Sequence, residues 1–75
     1  MKEIAPRIAV DPNVRFGKPV ILGTRIAVGT ILGHLAAGNT PEELAAEYDI
    51  SREDVLACVA YAALLVEEEQ VRTLP

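Results

Sequence analysis

The chain has one cysteine, one histidine, no tryptophan and only three aromatic residues, Phe16, Tyr48 and Tyr61. A single thiol excludes an intrachain disulfide and points to a reducing, cytoplasmic compartment. Cys58 lies within the uncharged stretch Val55–Val66, the setting of a small buried hydrophobe rather than of a reactive thiol. That stretch is well short of the roughly 20 residues needed to span a bilayer. Residues Met1–Pro6 have no apolar signal-peptide core, so no membrane association is expected. With His34 and Cys58 far apart, a zinc site within one chain would need carboxylates to complete it, and neither a metal nor another cofactor is expected. Gly17-Lys18 is no phosphate loop, because it lacks the upstream glycine and the Ser or Thr after lysine. Glu42, Glu43 and Glu47 complement a helix N-terminus and lack a partner acid in a pocket. With no catalytic constellation and no small-molecule site legible, the chain is expected to bind rather than to catalyse.

What remains is a short, aliphatic chain. Its 75 residues make one domain, 1–75, and about half are hydrophobic, so the core must be built from Ile, Val, Leu and Ala. A domain of this size is marginal alone, and oligomerisation is a common remedy. The first third reads as strand and turn. Ile8-Ala9-Val10 is closed by the turn formers Asp11-Pro12-Asn13, and Val20-Ile21-Leu22 is separated from Thr24-Arg25-Ile26 by Gly23. A small two-stranded ribbon over about residues 8–26 is expected, or one that pairs with a second chain.

Three helices follow. The first, about 28–37, carries Val28, Ile31, Leu32, Leu35 and Ala36 at the spacing of one buried face, and Gly38-Asn39 ends it. The second, 41–48, has the sharpest start: Thr40 as cap, Pro41 in the first helical position and Glu43 three residues after the cap. Asp49-Ile50 makes a turn, and Ser51 opens a long third helix, about 52–70. Capped starts at Thr40 and Ser51 have the spacing of a helix-turn-helix. The third helix is apolar all round. Val55, Leu56, Val59, Ala62, Ala63 and Val66 form one face, and Ala57, Cys58, Ala60, Tyr61, Leu64 and Leu65 the other. Such a helix must be covered on every side, which a chain of 75 residues cannot do, so a homodimer packed on this helix is expected. Its interface is assigned to Val55, Cys58, Val59, Ala62, Leu65 and Val66.

Charge divides sharply along the chain. Residues 1–38 hold five cations against two carboxylates, whereas residues 39–75 hold two against nine. An anionic partner would meet the first half and a basic partner the second.

The pattern Ile8…Asp11-Pro12…Gly17-Lys18-Pro19-Val20-Ile21…Gly23-Thr24-Arg25-Ile26…Val28, continued through Gly38…Thr40-Pro41-Glu42-Glu43-Leu44 and Tyr48…Ile50-Ser51…Asp54-Val55, resembles the bacterial and archaeal domain-of-unknown-function family numbered 433. The resemblance extends to Ala60-Tyr61-Ala62-Ala63 and is most specific at Gly-Thr-Arg. It implies a small, mostly α, homeodomain-like helix-turn-helix protein. Many members are described as antitoxins of type II toxin–antitoxin pairs, often encoded beside a PIN-like ribonuclease toxin. The resemblance therefore implies operator DNA binding and toxin binding. The residues qualify this. The stretch that would enter the major groove is Ser51-Arg52-Glu53-Asp54, one arginine against two carboxylates, which is a poor reading head. A ribbon can also enter a groove. DNA contact is accordingly assigned to Arg15, Lys18 and Arg25, with Arg52 as a further candidate. The competing reading for Arg25 is a structural one, pinning the ribbon to an acid of the second half. The competing reading for the whole chain is a dimeric protein-interaction adaptor that never touches DNA. The two diverge on whether Arg15, Lys18 and Arg25 are exposed on one face or tied up by carboxylates.

Overall fold

A computed structural model describes residues 1–68. Three short strands, β1 (Lys2–Ala5), β2 (Ile8–Val10) and β3 (Val20–Ile21), precede three helices, α1 (Val28–Ala36), α2 (Pro41–Tyr48) and α3 (Arg52–Glu68). The helix boundaries agree with the expected 28–37 and 41–48 to within one residue. For the third helix, residues 69 and 70 lie outside the described residues.

The expected two-stranded ribbon is instead a three-stranded antiparallel sheet in the order β1-β2-β3. Ile8 pairs with Ile21 and Ala9 with Val20, which sets both strands' apolar residues into the core. The added strand, β1, pairs Lys2 with Val10 and Glu3 with Ala9, then bulges before Ala5 meets Ile8. Lys2, Glu3 and Ile4 are all exposed, so β1 carries no hydrophobic alternation and forms because β2 offers it a free edge. The segment Thr24-Arg25-Ile26 is not a strand but irregular backbone that follows a turn at Leu22-Gly23 and leads to an isolated bridge between Ala27 and Val20. The Thr24 hydroxyl donates to the Ile21 carbonyl at 2.8 Å and accepts the Ile26 N–H at 3.0 Å, while Gly23 takes φ +81°. This hydroxyl-closed turn is the local conformation that the Gly-Thr-Arg segment specifies.

Both helix starts in the second half are closed by reciprocal bonds. Thr40 accepts the Glu43 N–H at 3.1 Å, and the Glu43 carboxylate accepts the Thr40 N–H at 2.8 Å. Ser51 and Asp54 repeat the exchange at 3.0 and 3.1 Å. Between them Asp49 ends α2 in the left-handed conformation, φ +54°. The lone histidine joins the first two helices, with the Tyr48 hydroxyl 2.9 Å from His34 Nε2.

The core is one cluster: Ile8 and Ile21 from the sheet, Val28 and Ile31 from α1, Leu44 from α2, and Val55 and Cys58 from α3. Only the first half of α3 takes part. Val55 and Cys58 are fully buried with Ala57, Tyr61 and Ala62 half-buried, whereas Leu64, Leu65 and Val66 stand exposed. The inward face therefore draws on both of the apolar faces named from the sequence, Val55 and Ala62 from one and Ala57, Cys58 and Tyr61 from the other. A helix without a polar stripe carries no sequence signal for its rotation, and the small Ala57 and Cys58 let it approach the sheet. Projection of α3 beyond the body lengthens the molecule to 47 × 30 × 19 Å, with a radius of gyration of 13.3 Å. A compact chain of this length has about 11 Å.

Sheet and helix are pinned at the surface by Arg7, at the turn between β1 and β2. Its guanidinium lies 3.0 Å from Asp54 Oδ1 and 3.4 Å from the Ser51 hydroxyl. The structural role weighed for Arg25 thus falls to Arg7. Partial burial pushes the Asp54 pKa up. Hydrogen bonds from the Ser51 backbone, the Arg7 guanidinium and the Ser51 side chain outweigh it, and the net shift is below the usual aspartate value.

Two outcomes follow for stability. Because the folded-state pKa of Asp54 is depressed, its contribution is complete above the ordinary aspartate value of about 4 and disappears as pH falls through the lower folded value. Urea unfolding at stepped pH should show Arg7→Ala less stable than the parent by up to about 1 kcal/mol at pH 7, with the gap closing below about pH 4. Asp49→Gly should stabilise by about 0.5–1 kcal/mol, seen as a raised thermal midpoint. It relieves a left-handed side chain and removes a carboxylate from a helix C-terminus.

Candidate functional site

Val14 to Lys18 connects the Asp11–Val14 bridge to β3 and turns with the unusual hand. Arg15 (φ +52°), Phe16 (φ +57°) and Gly17 (φ +78°) are consecutively left-handed. Two backbone bonds close the turn, Gly17 N–H to the Val14 carbonyl and Lys18 N–H to the Arg15 carbonyl, each at 3.1 Å. For a residue with a Cβ this conformation costs about 1–2 kcal/mol, so Arg15 and Phe16 are held there against their preference. The consequence is that Phe16 points away from the core and is 98% exposed. Burying a phenylalanine is worth about 1.5–3 kcal/mol, and here none of that is realised.

Arg15 is the hub of the surrounding surface. It borders a depression shared with Phe16 and Lys18, and a crevice shared with Arg25 and Tyr48. It also edges an open apolar groove of about 510 Å³ that runs between Lys18, the start of α1, and Tyr61, Ala62 and Leu65 of α3. Arg15, Lys18 and Arg25 are all exposed, and none makes an ion pair among the described residues.

The fourth candidate, Arg52, is placed differently. Its Nε donates to Glu42 Oε1 at 2.7 Å, and this bond holds the Glu42 carboxyl below its usual range. With Glu53 adjacent, the start of α3 presents a neutralised arginine among acids, and Arg52 does not join the other three. Of the six residues assigned to a dimer interface, Val55 and Cys58 have no surface left to offer a second chain, being fully buried in this one. The other four remain at the surface: Val59, Leu65 and Val66 are 43%, 42% and 64% exposed, and Ala62 is half-buried beside them. Leu56 and Leu64 belong to the same apolar surface. Burial and the neighbouring Asp54 push the Cys58 thiol up to about 11, so it is a packing residue and not a nucleophile. No group of three His, Cys, Asp or Glu side chains that could hold a metal ion occurs among the described residues.

Sequence reasoning overlooked Phe16. The usable signal was its company: an aromatic residue between Arg15 and Gly17-Lys18-Pro19, outside any strand or helix periodicity.

Comparison with known proteins sets the chain in context. A crystal structure of a DUF433 member protein from Anabaena variabilis superposes with a TM-score of 0.74 at 32% identity, over 83% of this chain and 62% of that one. The X-ray structure of Rv2018 from Mycobacterium tuberculosis gives a TM-score of 0.63 at 29% identity, over 69% of this chain and 24% of that one. The chain thus spans less than two thirds of the length of either. No curated protein matches. Residues 8–62 match the family described as "protein of unknown function (DUF433)", and the chain belongs to that family.

Proposed function

We propose that this protein is a dimeric, DNA-binding regulator of the antitoxin kind that binds its operator through the basic turn and Arg25. The observation that carries this reading is the sorting of cations. Arg7 and Arg52 are bonded to carboxylates, whereas Arg15, Lys18 and Arg25 adjoin one another on an exposed face without an acid partner among the described residues. Phosphate contact by such groups supplies most of the affinity of a protein for DNA. In this reading α2 and α3 form the helix-turn-helix as a scaffold rather than as the reading head. The acidic second half engages a toxin of the PIN-like class that the family resemblance implies. No catalytic step is assigned.

Dimerisation is part of the same reading. The outer half of α3 leaves Val59, Leu64, Leu65 and Val66 exposed in a single chain, an apolar surface that a second copy of α3 would cover. Sedimentation at micromolar concentration should give a dimer, and Leu65→Glu should give a folded monomer, since Leu65 is not in the core. A monomeric parent overturns this half of the proposal.

For DNA, titration of a duplex taken from upstream of the protein's own coding sequence, at several salt concentrations, should show affinity falling steeply with salt. Arg15→Ala or Lys18→Ala should each reduce the log–log slope by about 1 per contact removed, hence about 2 per dimer. Arg52→Ala should leave the slope unchanged. Absence of duplex binding at low salt sinks the DNA reading and favours the adaptor.

A further inference from the structure

Phe16 takes no part in the core or in either helix pair. Yet it is the most exposed of the large hydrophobic side chains among the described residues, and the only phenylalanine in the chain. Its backbone and those of its two neighbours are left-handed, and this keeps the ring off the protein surface. Cations stand on both sides of it, Arg15 immediately before and Lys18 two residues after, and the three side chains border one shallow depression. Neither cation has a carboxylate within ion-pair distance among the described residues.

We propose that Phe16 is a wedge residue that inserts between stacked base pairs of duplex DNA while Arg15 and Lys18 hold the phosphates flanking the step. This rests on the DNA-binding reading above and names how the same site engages its ligand. The pairing of chemistries is what favours nucleic acid. A duplex offers phosphates on either side of an apolar, stackable gap within the reach of a single turn. Apolar side chains used in this way unstack a step and kink the helix. A ring held out by its own backbone needs no rearrangement to enter. Its insertion would remove from water the apolar surface that the free protein leaves exposed. Because the contact is apolar, it contributes affinity without adding to the salt dependence that Arg15 and Lys18 impose.

The test uses the upstream duplex carrying 2-aminopurine at successive positions, with the full chain and its Phe16→Ala and Phe16→Leu variants. The side chain is outside the core, so both variants should unfold at the parent's temperature. The parent should raise 2-aminopurine fluorescence at one step per bound loop. Phe16→Ala should abolish that rise and weaken binding at least about five-fold with an unchanged salt slope, and Phe16→Leu should retain part of both. If the parent binds the duplex in a salt-dependent manner but no position brightens, or if Phe16→Ala binds as tightly as the parent, the wedge is overturned while the DNA reading stands. The ring would then belong to a protein contact. If the parent does not bind the duplex at all, both fall together.

Discussion

The structure depends on how little protein there is to cover α3. The helix runs seventeen residues, about 25 Å at 1.5 Å per residue. The sheet, α1 and α2 close over its first half only, where Val55 and Cys58 meet Ile8, Ile21, Ile31 and Leu44. Everything needed to hold the fold is gathered there: a single cluster of aliphatic side chains, the two reciprocal caps and the Arg7–Asp54 pair. Along the remaining turns of α3 Tyr61 and Ala62 are only half-buried and Leu64, Leu65 and Val66 stand exposed, which gives this small protein a second apolar surface. Burial and exposure thus divide along the length of one helix.

Electrostatics follow the same division. The carboxylates that begin α2 and α3 sit where helix dipoles favour them, and two of them engage the nearest arginines. Once Arg7 and Arg52 are engaged, Arg15 and Lys18 around the left-handed turn, and Arg25 near them, are left exposed without an ion pair among the described residues. A chain with a net charge of −4 thus gathers Arg15, Lys18 and Arg25 on one exposed region, while most of its acids lie in the opposite half, residues 39–75. The long-range field of such a molecule does not favour polyanions, so attraction of any anionic partner would have to come from contacts made at close range.

Legibility in the sequence varied with the type of signal. The second helix was readable to the residue because Thr40, Pro41 and Glu43 form a start with a mechanism. The long third helix was readable in extent but not in rotation. With uncharged residues on every face, Val55 and Leu56 looked alike, and only tertiary packing decides that one is buried and the other is not. The strand Lys2–Ala5 was invisible for a related reason. It contributes no side chain to the core cluster except the partial burial of Ala5, and its pairing is dictated by the neighbouring edge. Around the candidate site, the basic residues could be picked out by charge. Nothing in their letters distinguished Arg25 from Arg7 as the one that bonds to Asp54, since that depends on where the hairpin docks. The left-handed geometry of Arg15 and Phe16 defied the usual rule that a positive φ is announced by glycine or asparagine.

The Arg7–Asp54 contact joins positions 47 residues apart, and Asp54 is also the group that closes the start of α3. Contacts so distant in sequence form late, after the helices between them have brought their ends together. On a ribosome the hairpin that carries Arg7 is made before α3, yet it has no platform until α3 has followed it out. For that interval β2 exposes the very residues, Ile8 and Ala9, that are wholly buried in the finished protein. The most vulnerable interval for this fold is therefore the one before α3 emerges, and the acidic N-terminus of α3 is the latch that ends it.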